Sequence, residues 1–225
     1  VGGGALRVPD YRGGGHASSY QFPIIIPFYR GKYFRSDDQG VRGELFKSDS
    51  VRLDFSFDGG VPVDSSKNLV RNGMPDLAAT FQVGPGLNVK LWDQRQPSRS
   101  LILFLPVRKV LAIDGKEVKD AGYVFSPQLT YYRRVSVAGC PWKLGLTASL
   151  EYGTDRYHNY YYSVAPAFAT ATRPSYNAGG GFAGYRFVST FHCRYRNKWI
   201  SFFGRYDRID GAVFEGSPLV RRRDG

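Results

Sequence analysis

The sequence contains no long apolar run, although it has 225 residues and 42% of them are hydrophobic. None of its apolar stretches approaches the ~18 residues that a membrane-spanning helix requires, and the mean hydropathy is −0.34. Spanning by helices is therefore excluded. A β-strand crosses a membrane with only ~9–11 residues, of which every second one is apolar, so this composition still allows a membrane β-barrel.

Residues for metal and covalent chemistry are also scarce. The chain has three histidines (His16, His158 and His192), and neither Cys-x-x-Cys nor His-x-x-x-His spacing occurs. This pattern predicts no metal site and no bound cofactor. There is no Gly-x-Ser-x-Gly elbow of a serine hydrolase, and the glycine motif at 179–184 precedes a strand-like pattern, not the helix of a dinucleotide site. We therefore expect a non-enzymatic protein without catalytic residues.

Acidic residues are few: 19 Asp and Glu stand against 31 Lys and Arg, which gives a formal charge of +12. The basic residues are spread along the chain, often beside carboxylates, and this distribution argues against a nucleic-acid partner. The one basic run, Arg221–Arg223, is typical of a solvated segment. Phosphate-bearing lipid headgroups are the other anionic partner that the charge favours.

What the sequence does contain is alternation with a period of two. Between Trp142 and Tyr152 the even positions are Trp, Leu, Leu, Ala, Leu and Tyr, and the odd ones are Lys, Gly, Thr, Ser and Glu. Successive side chains of a strand point to opposite sides. This stretch therefore predicts a strand with one apolar face and one polar face.

The same alternation recurs along the chain. Further strands are predicted at Val1–Val8, Phe22–Phe28, Tyr29–Arg35, Val41–Leu45, Val51–Asp58, Leu77–Leu91, Leu101–Arg108, Tyr123–Tyr132, Arg186–Arg194 and Ile200–Asp207. Long loops at 59–76, 113–122, 153–177 and 210–225 alternate with short turns at 94–98, 138–141 and 196–197. Long loops on one side and short turns on the other are typical of outer-membrane barrels, whose long loops face outward from the cell.

The apolar face of these strands carries almost no charge, and Trp or Tyr lies near strand ends, as in the aromatic girdles of membrane barrels. We therefore predict that the apolar set faces lipid and the polar set faces the lumen. Both signs of charge occur there, which favours ion pairs filling a narrow lumen over the selective lining of a small channel. The charged residues assigned to the lumen are Arg52, Asp54, Asp58, Lys90, Arg108, Arg134, Lys143, Glu151, Arg186, Arg194, Arg205 and Asp207.

Short segments distributed over nearly the whole chain resemble the MipA/OmpV family of outer-membrane proteins. The matching segments are Gly2–Gly4, Pro9–Gly13, Pro27–Gly31, Arg71–Leu77, Gly84–Pro85, Tyr161–Val164, Tyr176–Gly179 and Ser217–Val220. Each is short, and it is their order and spacing together that carry the resemblance.

Together with the alternation, the resemblance implies one antiparallel transmembrane β-barrel domain over residues 1–225, in the outer membrane of a Gram-negative bacterium and with its signal peptide removed. We expect about twelve strands in the complete protein by the even-number rule, or ten if Tyr20–Asp37 is a single strand. Family members continue into a closing strand beyond Ser217–Val220, and we expect that strand to be missing from this chain.

For function, the resemblance implies a non-enzymatic scaffold that joins a murein lytic transglycosylase to a penicillin-binding peptidoglycan synthase. Outer-membrane lipid, including lipopolysaccharide, is the expected surrounding. A small-solute channel, or a ligand-binding or adhesive barrel, is the alternative.

Two further questions stay open at this level. The tyrosines of the loop at 153–177 either form an exposed binding surface or fold inward and plug the barrel mouth. Cys140 and Cys193 lie near the same rim of neighbouring strands, and an exported protein passes through an oxidising compartment. They are a candidate disulfide if the register brings their Cα atoms within ~4.4–6.8 Å, whereas a lipid-facing Cys193 could equally be a free, apolar thiol.

Overall fold

The computed structural model describes residues 2–24, 29–30, 34–37, 40–94, 99–195 and 198–225. Sequence predictions that fall on Val1, on the end of the Phe22–Phe28 strand, on Gly31 and on the turns at 95–98 and 196–197 lie outside the described residues.

Strands make up most of the described chain. They are β1 (Gly2–Pro9), β2 (Ala17–Ile24), β3 (Tyr29–Arg30), β4 (Phe34–Asp37), β5 (Gly40–Lys47), β6 (Val51–Gly60), β7 (Ala79–Gln94), β8 (Arg99–Asp114), β9 (Glu117–Phe125), β10 (Gln128–Val137), β11 (Cys140–Gly153), β12 (Gly181–Tyr195) and β13 (Lys198–Arg208). The helix α1 (Asp155–Tyr162) and 3₁₀ turns at Ser65–Lys67 and Pro166–Phe168 lie in loops. No helix in the described ranges is long and apolar enough to cross a membrane.

The predicted alternation explains both the strands and their faces. β11 covers the whole Trp142–Tyr152 stretch, and β7 and β8 reach 16 residues each. Thr130 and Thr147 face each other across neighbouring strands with their hydroxyl oxygens 2.9 Å apart, whereas Leu146 points to the opposite face and is 46% exposed. The prediction of an all-β, antiparallel fold is confirmed.

Strands β3 to β13 form one sheet whose neighbours are all antiparallel. β9 and β10 both pair with β8, so together they behave as one strand interrupted at Ser126–Pro127. The polar loop predicted at Asp114–Gly122 is wrong, because β8 continues to Asp114 and a tight turn at Gly115 leads directly into β9. Residues 113–120 of this hairpin are all exposed, so neither face needs to be apolar. The sequence therefore lacks the alternation of apolar and polar residues that would predict these strands.

At the N-terminal side, β1 and β2 pair into a separate two-stranded sheet. β3 pairs antiparallel with β4, so the chain reverses between Arg30 and Phe34, which favours twelve strands over the single strand at Tyr20–Asp37. Beyond β13 the chain returns along that strand, where the Ile209 amide donates a hydrogen bond to the Arg223 carbonyl at 2.8 Å. Closure of the sheet into a complete barrel stays a prediction.

The two ends of the sheet differ. At the loop end, the segments 10–16, 61–78, 154–180 and 209–222 pack together, and they contain the largest buried apolar cluster of the described chain. Its most buried members include Val164, Phe214 and Leu219. At the short-turn end, strands are joined by tight turns such as 48–50 and 138–139. The folded core of this protein therefore lies in its loops as well as in its sheet.

Candidate functional site

The inner face of the sheet, which carries Glu151, Arg186 and Asp207, is polar and largely buried at the loop end. Glu151 and Asp207 are each 4% exposed, whereas Phe187 and Phe202 on the outer face are 47% and 60% exposed. Charged residues inside and large apolar residues outside reverse the arrangement of a water-soluble protein. This is the arrangement expected of strands whose outer solvent is lipid.

Five charged side chains form an ion network at the loop end, and three of them, Arg12, Glu151 and Asp207, are buried. Arg12 Nη1 lies 2.9 Å from Glu151 Oε1, and its Nε lies 3.2 Å from Asp207 Oδ1. Arg186 spans the same two carboxylates at 3.2 and 2.8 Å, and Arg205 Nε lies 2.5 Å from Asp207 Oδ2. Burial alone would lower the pKa of Arg12, but Glu151 and Asp207 outweigh it and raise that pKa. Each buried carboxylate therefore has its counter-charge, as low-dielectric surroundings require.

A second polar group on the inner face surrounds Arg108. Its guanidinium donates to Gln82 Oε1 at 3.2 Å, to Ser56 Oγ at 3.0 Å and to Ser126 Oγ at 2.7 Å. Asp58 lies 3.5 Å from Arg108 Nη2. Arg108 on β8 thereby links three other parts of the sheet. They are β6 with Ser56 and Asp58, β7 with Gln82, and the β9–β10 junction with Ser126.

Further along β6, towards the short-turn end, a smaller pair occupies the same face. Arg52 Nε lies 2.6 Å from Asp54 Oδ2, and Asn88 donates to that oxygen at 2.9 Å. Asp54 is buried, and both donors meet its Oδ2, whereas its Oδ1 has no hydrogen-bond partner within the described residues.

The packed loops form a cap over the loop end. The Tyr11 hydroxyl donates to the Leu219 carbonyl at 3.0 Å, and the Tyr162 hydroxyl donates to the Arg12 carbonyl at 2.9 Å. Arg173 Nη1 donates to the carbonyls of Val70 and Asn72, both at 2.9 Å. Burial raises the pKa of Tyr11 to about 12, so its hydroxyl stays a donor at physiological pH. These long-range bonds join all four segments of the cap.

The helix α1 sits within the cap and resolves the two alternatives for the loop tyrosines. Thr154 caps its first turn by accepting from the Tyr157 amide at 3.4 Å. Tyr162 is buried and stacks on Phe214 with ring centroids 3.7 Å apart, and Tyr160 donates to the Ala78 carbonyl at 2.8 Å. Burial raises the pKa of Tyr161 and of Tyr162. The tyrosines therefore fold inward, as in the plug alternative.

A cavity of about 270 Å³ lies between the cap and the inner face. It is lined by charged, aromatic and glycine residues together. They include Arg12, Asp58, Gly60, Arg108, Tyr161 and Arg205. The space is large enough for several waters or a small polar solute.

The remaining predicted lumen charges lie towards the short-turn end. Lys90 pairs with Asp93 at 3.1 Å, and Lys143 Nζ lies 4.4 Å from the centre of the Tyr132 ring. Arg134 lies directly opposite Lys143 in the sheet, and Arg194 lies opposite Trp199. The structure thus divides the twelve predicted residues equally between the two ends of the strands. Asp58, Arg108, Glu151, Arg186, Arg205 and Asp207 lie towards the loop end, and Arg52, Asp54, Lys90, Arg134, Lys143 and Arg194 lie towards the short-turn end.

Cys140 and Cys193 lie at the short-turn end, as the strand map requires. Their Cα atoms are 6.4 Å apart, and the structure joins their sulfurs in a disulfide. Trp142, two residues along β11, is the direct register partner of Cys193, so the bond is diagonal across the strand pair.

The three histidines occupy different parts of the chain. His16 lies 3.1 Å from Asp10 in the cap, His158 is buried in α1, and His192 lies on β12. Within the described residues, no group of three or more His, Cys, Asp or Glu side chains is placed to hold a metal ion. The glycines at 179–184 lead into β12, which is a strand and not a helix.

Sequence reasoning missed two residues of this site. Arg12 lies in a glycine-rich turn, and only its long-range ion pairs bring it into the interior. His158 lies in a loop that alternation does not describe, although its Nδ1 is 2.7 Å from the Gly179 carbonyl. The carbonyl can only accept, so Nδ1 carries the proton. Burial lowers the pKa of His158, which keeps the ring neutral at pH 7.

Comparison with known proteins identifies a family that matches the whole chain and relatives that match most of it. The family described as MltA-interacting protein MipA matches residues 1–225. Outer membrane protein OmpV of Vibrio cholerae serotype O1 is 25% identical over 198 residues, which cover 85% of this chain and 69% of that protein. Outer membrane protein Omp26La of Vibrio anguillarum is 24% identical over the same number of residues and the same shares. No solved structure matches.

Proposed function

Because the chain belongs to the MipA family of outer-membrane proteins, we propose that it is a non-enzymatic docking protein of the Gram-negative outer membrane. It holds a murein lytic transglycosylase at its periplasmic side and brings a penicillin-binding peptidoglycan synthase to the same place. The family's description, MltA-interacting protein, supports the first partner. The two relatives are named as outer-membrane proteins and not as enzymes.

The observation that carries docking over transport is the filled loop end. An ion network centred on the buried residues Arg12, Glu151 and Asp207, with Arg186 and Arg205 at its margin, lies on the inner face there. Above it, hydrogen bonds between distant segments hold the cap in place. A path for solutes through the loop end would require these ion pairs to break. Each broken pair would leave a charge without its counter-charge, which is costly in a buried position. A protein closed in this way acts through its surfaces.

Binding to a purified murein lytic transglycosylase tests this function directly. The protein in detergent micelles is immobilised, and an unrelated outer-membrane barrel of similar size serves as the control. Saturable binding by this protein alone is the expected result. Equal retention by both barrels, or by neither, would contradict the docking function.

The cavity beneath the cap favours a second candidate, a barrel that binds or passes a small polar solute. Planar bilayers separate the two, with a porin as positive control. Docking with a filled interior predicts no steady conductance from the purified protein. Defined conductance steps would favour the channel and would contradict the proposal that the interior is closed to solutes.

A further inference from the structure

Two arginines lie side by side on the outer face of the sheet. Arg99 is the first residue of β8, and its direct register partner on β10 is Arg133. Two residues further towards the loop end, Leu101 pairs with Tyr131 on the same face, because side chains of a strand alternate between its two sides. Leu129, the next residue of β10 on this face, is exposed, as expected of a lipid-facing position. Two positive charges therefore lie beside the apolar, lipid-facing surface.

Neither arginine has a carboxylate partner among the described residues. The sequence has no Asp or Glu between residues 94 and 113 or between residues 121 and 150. The nearest acid along the chain from Arg99 is Asp93, which pairs with Ser100 on the inner face and lies 3.1 Å from Lys90. The Nε atom of Arg99 is buried and has no hydrogen-bond partner. The described part of the protein therefore supplies no counter-charge for this pair.

Other cations of the outer face are paired. Lys109 on β8 lies 3.0 Å from Asp120, and Arg208 on β13 forms an ion pair with Asp210. Like charges directly opposite each other destabilise an antiparallel strand pair, and a bound anion would relieve this repulsion. Phosphate suits the geometry, because two neighbouring guanidinium groups can each donate to its oxygens.

An apolar groove of about 640 Å³ begins beside the two arginines. It lies one row further towards the loop end, roughly 7 Å along the strands at two residues per row. The residues of that row pair successively across five strands and all line the groove. They are Leu101, Tyr131, Leu146, Ser189 and Gly204. The small side chains of the row leave space between larger apolar ones, so an acyl chain can lie there.

We propose that Arg99, Arg133 and this groove form a binding site for one anionic phospholipid of the periplasmic leaflet, with a phosphodiester headgroup such as that of phosphatidylglycerol. Short turns of outer-membrane barrels face the periplasm, so the arginines lie on the side of that leaflet. Both guanidinium groups donate to the phosphate, and an acyl chain of the same molecule occupies the groove. The site is on the outer face and does not depend on docking of a transglycosylase.

The depth of the site favours a lipid headgroup over other anions. Trp92 on β7 is the register partner of Leu101, and Trp is enriched at membrane–water interfaces. The arginines therefore lie at the depth of headgroup phosphates, where basic pockets bind anionic lipids. A soluble acidic segment would have to displace lipid from this face. A zwitterionic headgroup carries an ammonium group that the two arginines repel, so an anionic lipid fits better.

Native mass spectrometry of the protein in uncharged micelles tests the site, with phosphatidylglycerol titrated as the ligand. The double variant Arg99→Gln, Arg133→Gln is expected to bind it about tenfold more weakly, by the modest energy of two partly exposed ion pairs. The matched control Arg134→Gln, Arg194→Gln removes two exposed cations of the inner face. It makes the same change in net charge and should alter affinity by less than about twofold, because salt screens charges at that distance.

Two further comparisons separate the headgroup from the chain. Ser189→Leu fills the groove without a change in charge and should weaken binding about fourfold, the equivalent of about one methylene group. Glycerol phosphate, which has the phosphate but no acyl chain, should not compete at equal concentration. Competition by glycerol phosphate, or unchanged binding by Ser189→Leu, would overturn the lipid assignment.

Equal affinities of the two double variants would overturn the role of the arginines. Equal binding of phosphatidylglycerol and phosphatidylcholine by the wild type would do the same. If the double variant Arg99→Gln, Arg133→Gln misfolds, the single variants must each weaken binding for the proposal to stand. The transglycosylase assay in micelles without phospholipid reports on docking alone, so failure of either proposal leaves the other untouched.

Discussion

At the loop end, Arg12 and Arg186 share the carboxylates of Glu151 and Asp207, and every member of this group except Arg186 is buried. At the short-turn end, Arg134 faces Lys143 with no carboxylate on either strand between residues 121 and 150. Glu151 and Lys143 lie on the same face of β11, towards its two ends. Buried charges must be paired within the protein, whereas exposed charges such as that of Arg134 are also stabilised by water. Position along the strand therefore decides how strongly the stability of the protein depends on each charge.

The largest effect is expected from breaking the buried network. Glu151→Gln leaves Arg12 and Arg186 with one carboxylate between them, and breaking a buried pair costs about 3–5 kcal/mol. Arg134→Gln at the rim should stay within about 0.5 kcal/mol of wild type, as surface changes usually do. Urea unfolding of both variants in micelles measures the difference. Similar losses from the two changes would contradict the contrast between the ends.

The outer face should tolerate a charged side chain poorly at positions midway between the two ends of the strands. Leu146→Arg places a charge among lipid-facing residues, at a cost of about 2–4 kcal/mol near the bilayer midplane. Its neighbour Thr147 faces inward, so Thr147→Arg is the matched control and should be milder. The yield of folded protein in the outer membrane is the measurement. If both variants assembled alike, the assignment of the two faces would be wrong.

Much of the sheet could be predicted because alternation is a local property of the sequence. Trp142–Tyr152 became β11 with its apolar face outward, and Val51–Asp58 lies within β6. Alternation does not predict a strand whose two faces are both exposed to solvent. This is why the β8–β9 hairpin was predicted to be a loop. Alternation also does not predict which charged residues form ion pairs across neighbouring strands, because those pairs depend on the register of the strands.

The cap could not be predicted for a different reason. Arg12 reaches Glu151 across 139 positions of sequence, and Tyr11 bonds to Leu219 with a separation of 208. Such contacts depend on how loops fold over the sheet, and glycine-rich or tyrosine-rich segments carry no periodic signal for it. Whether the tyrosines were exposed or buried was therefore open until the structure placed α1.

The disulfide tests the short-turn end. Cys140 and Cys193 join β11 to β12 at the short-turn end, and loss of such a bond typically costs about 2–4 kcal/mol. The double variant Cys140→Ser, Cys193→Ser should be destabilised by that amount while keeping its loop-end network. Thiol labelling of the unfolded, unreduced wild type should find no reactive thiol. Two labelled cysteines would show that the bond is absent from the protein.

The smallest effect concerns His158 in the cap. The ring is fully buried, it donates to the Gly179 carbonyl, and its Nε2 has no hydrogen-bond partner within the described residues. Its pKa is lowered by burial, although the Gly179 carbonyl and Glu151 oppose that shift, and Arg12 adds to it. The unfolded chain, with a histidine pKa of about 6.5, therefore binds the proton first as the pH falls. The stability that neutral His158 provides is present above that pH and is lost below it.

Each pH unit in that window changes stability by at most about 1.4 kcal/mol for one proton. Between pH 7.5 and pH 5.5 the wild type should lose about 1 kcal/mol that His158→Gln does not lose. The free energy of unfolding of both proteins at the two pH values measures this. His16 and His192 are common to both, so their contributions cancel in the comparison. Parallel losses in the two proteins would show that His158 is protonated as easily in the cap as in the unfolded chain, and that the cap does not shield it from water.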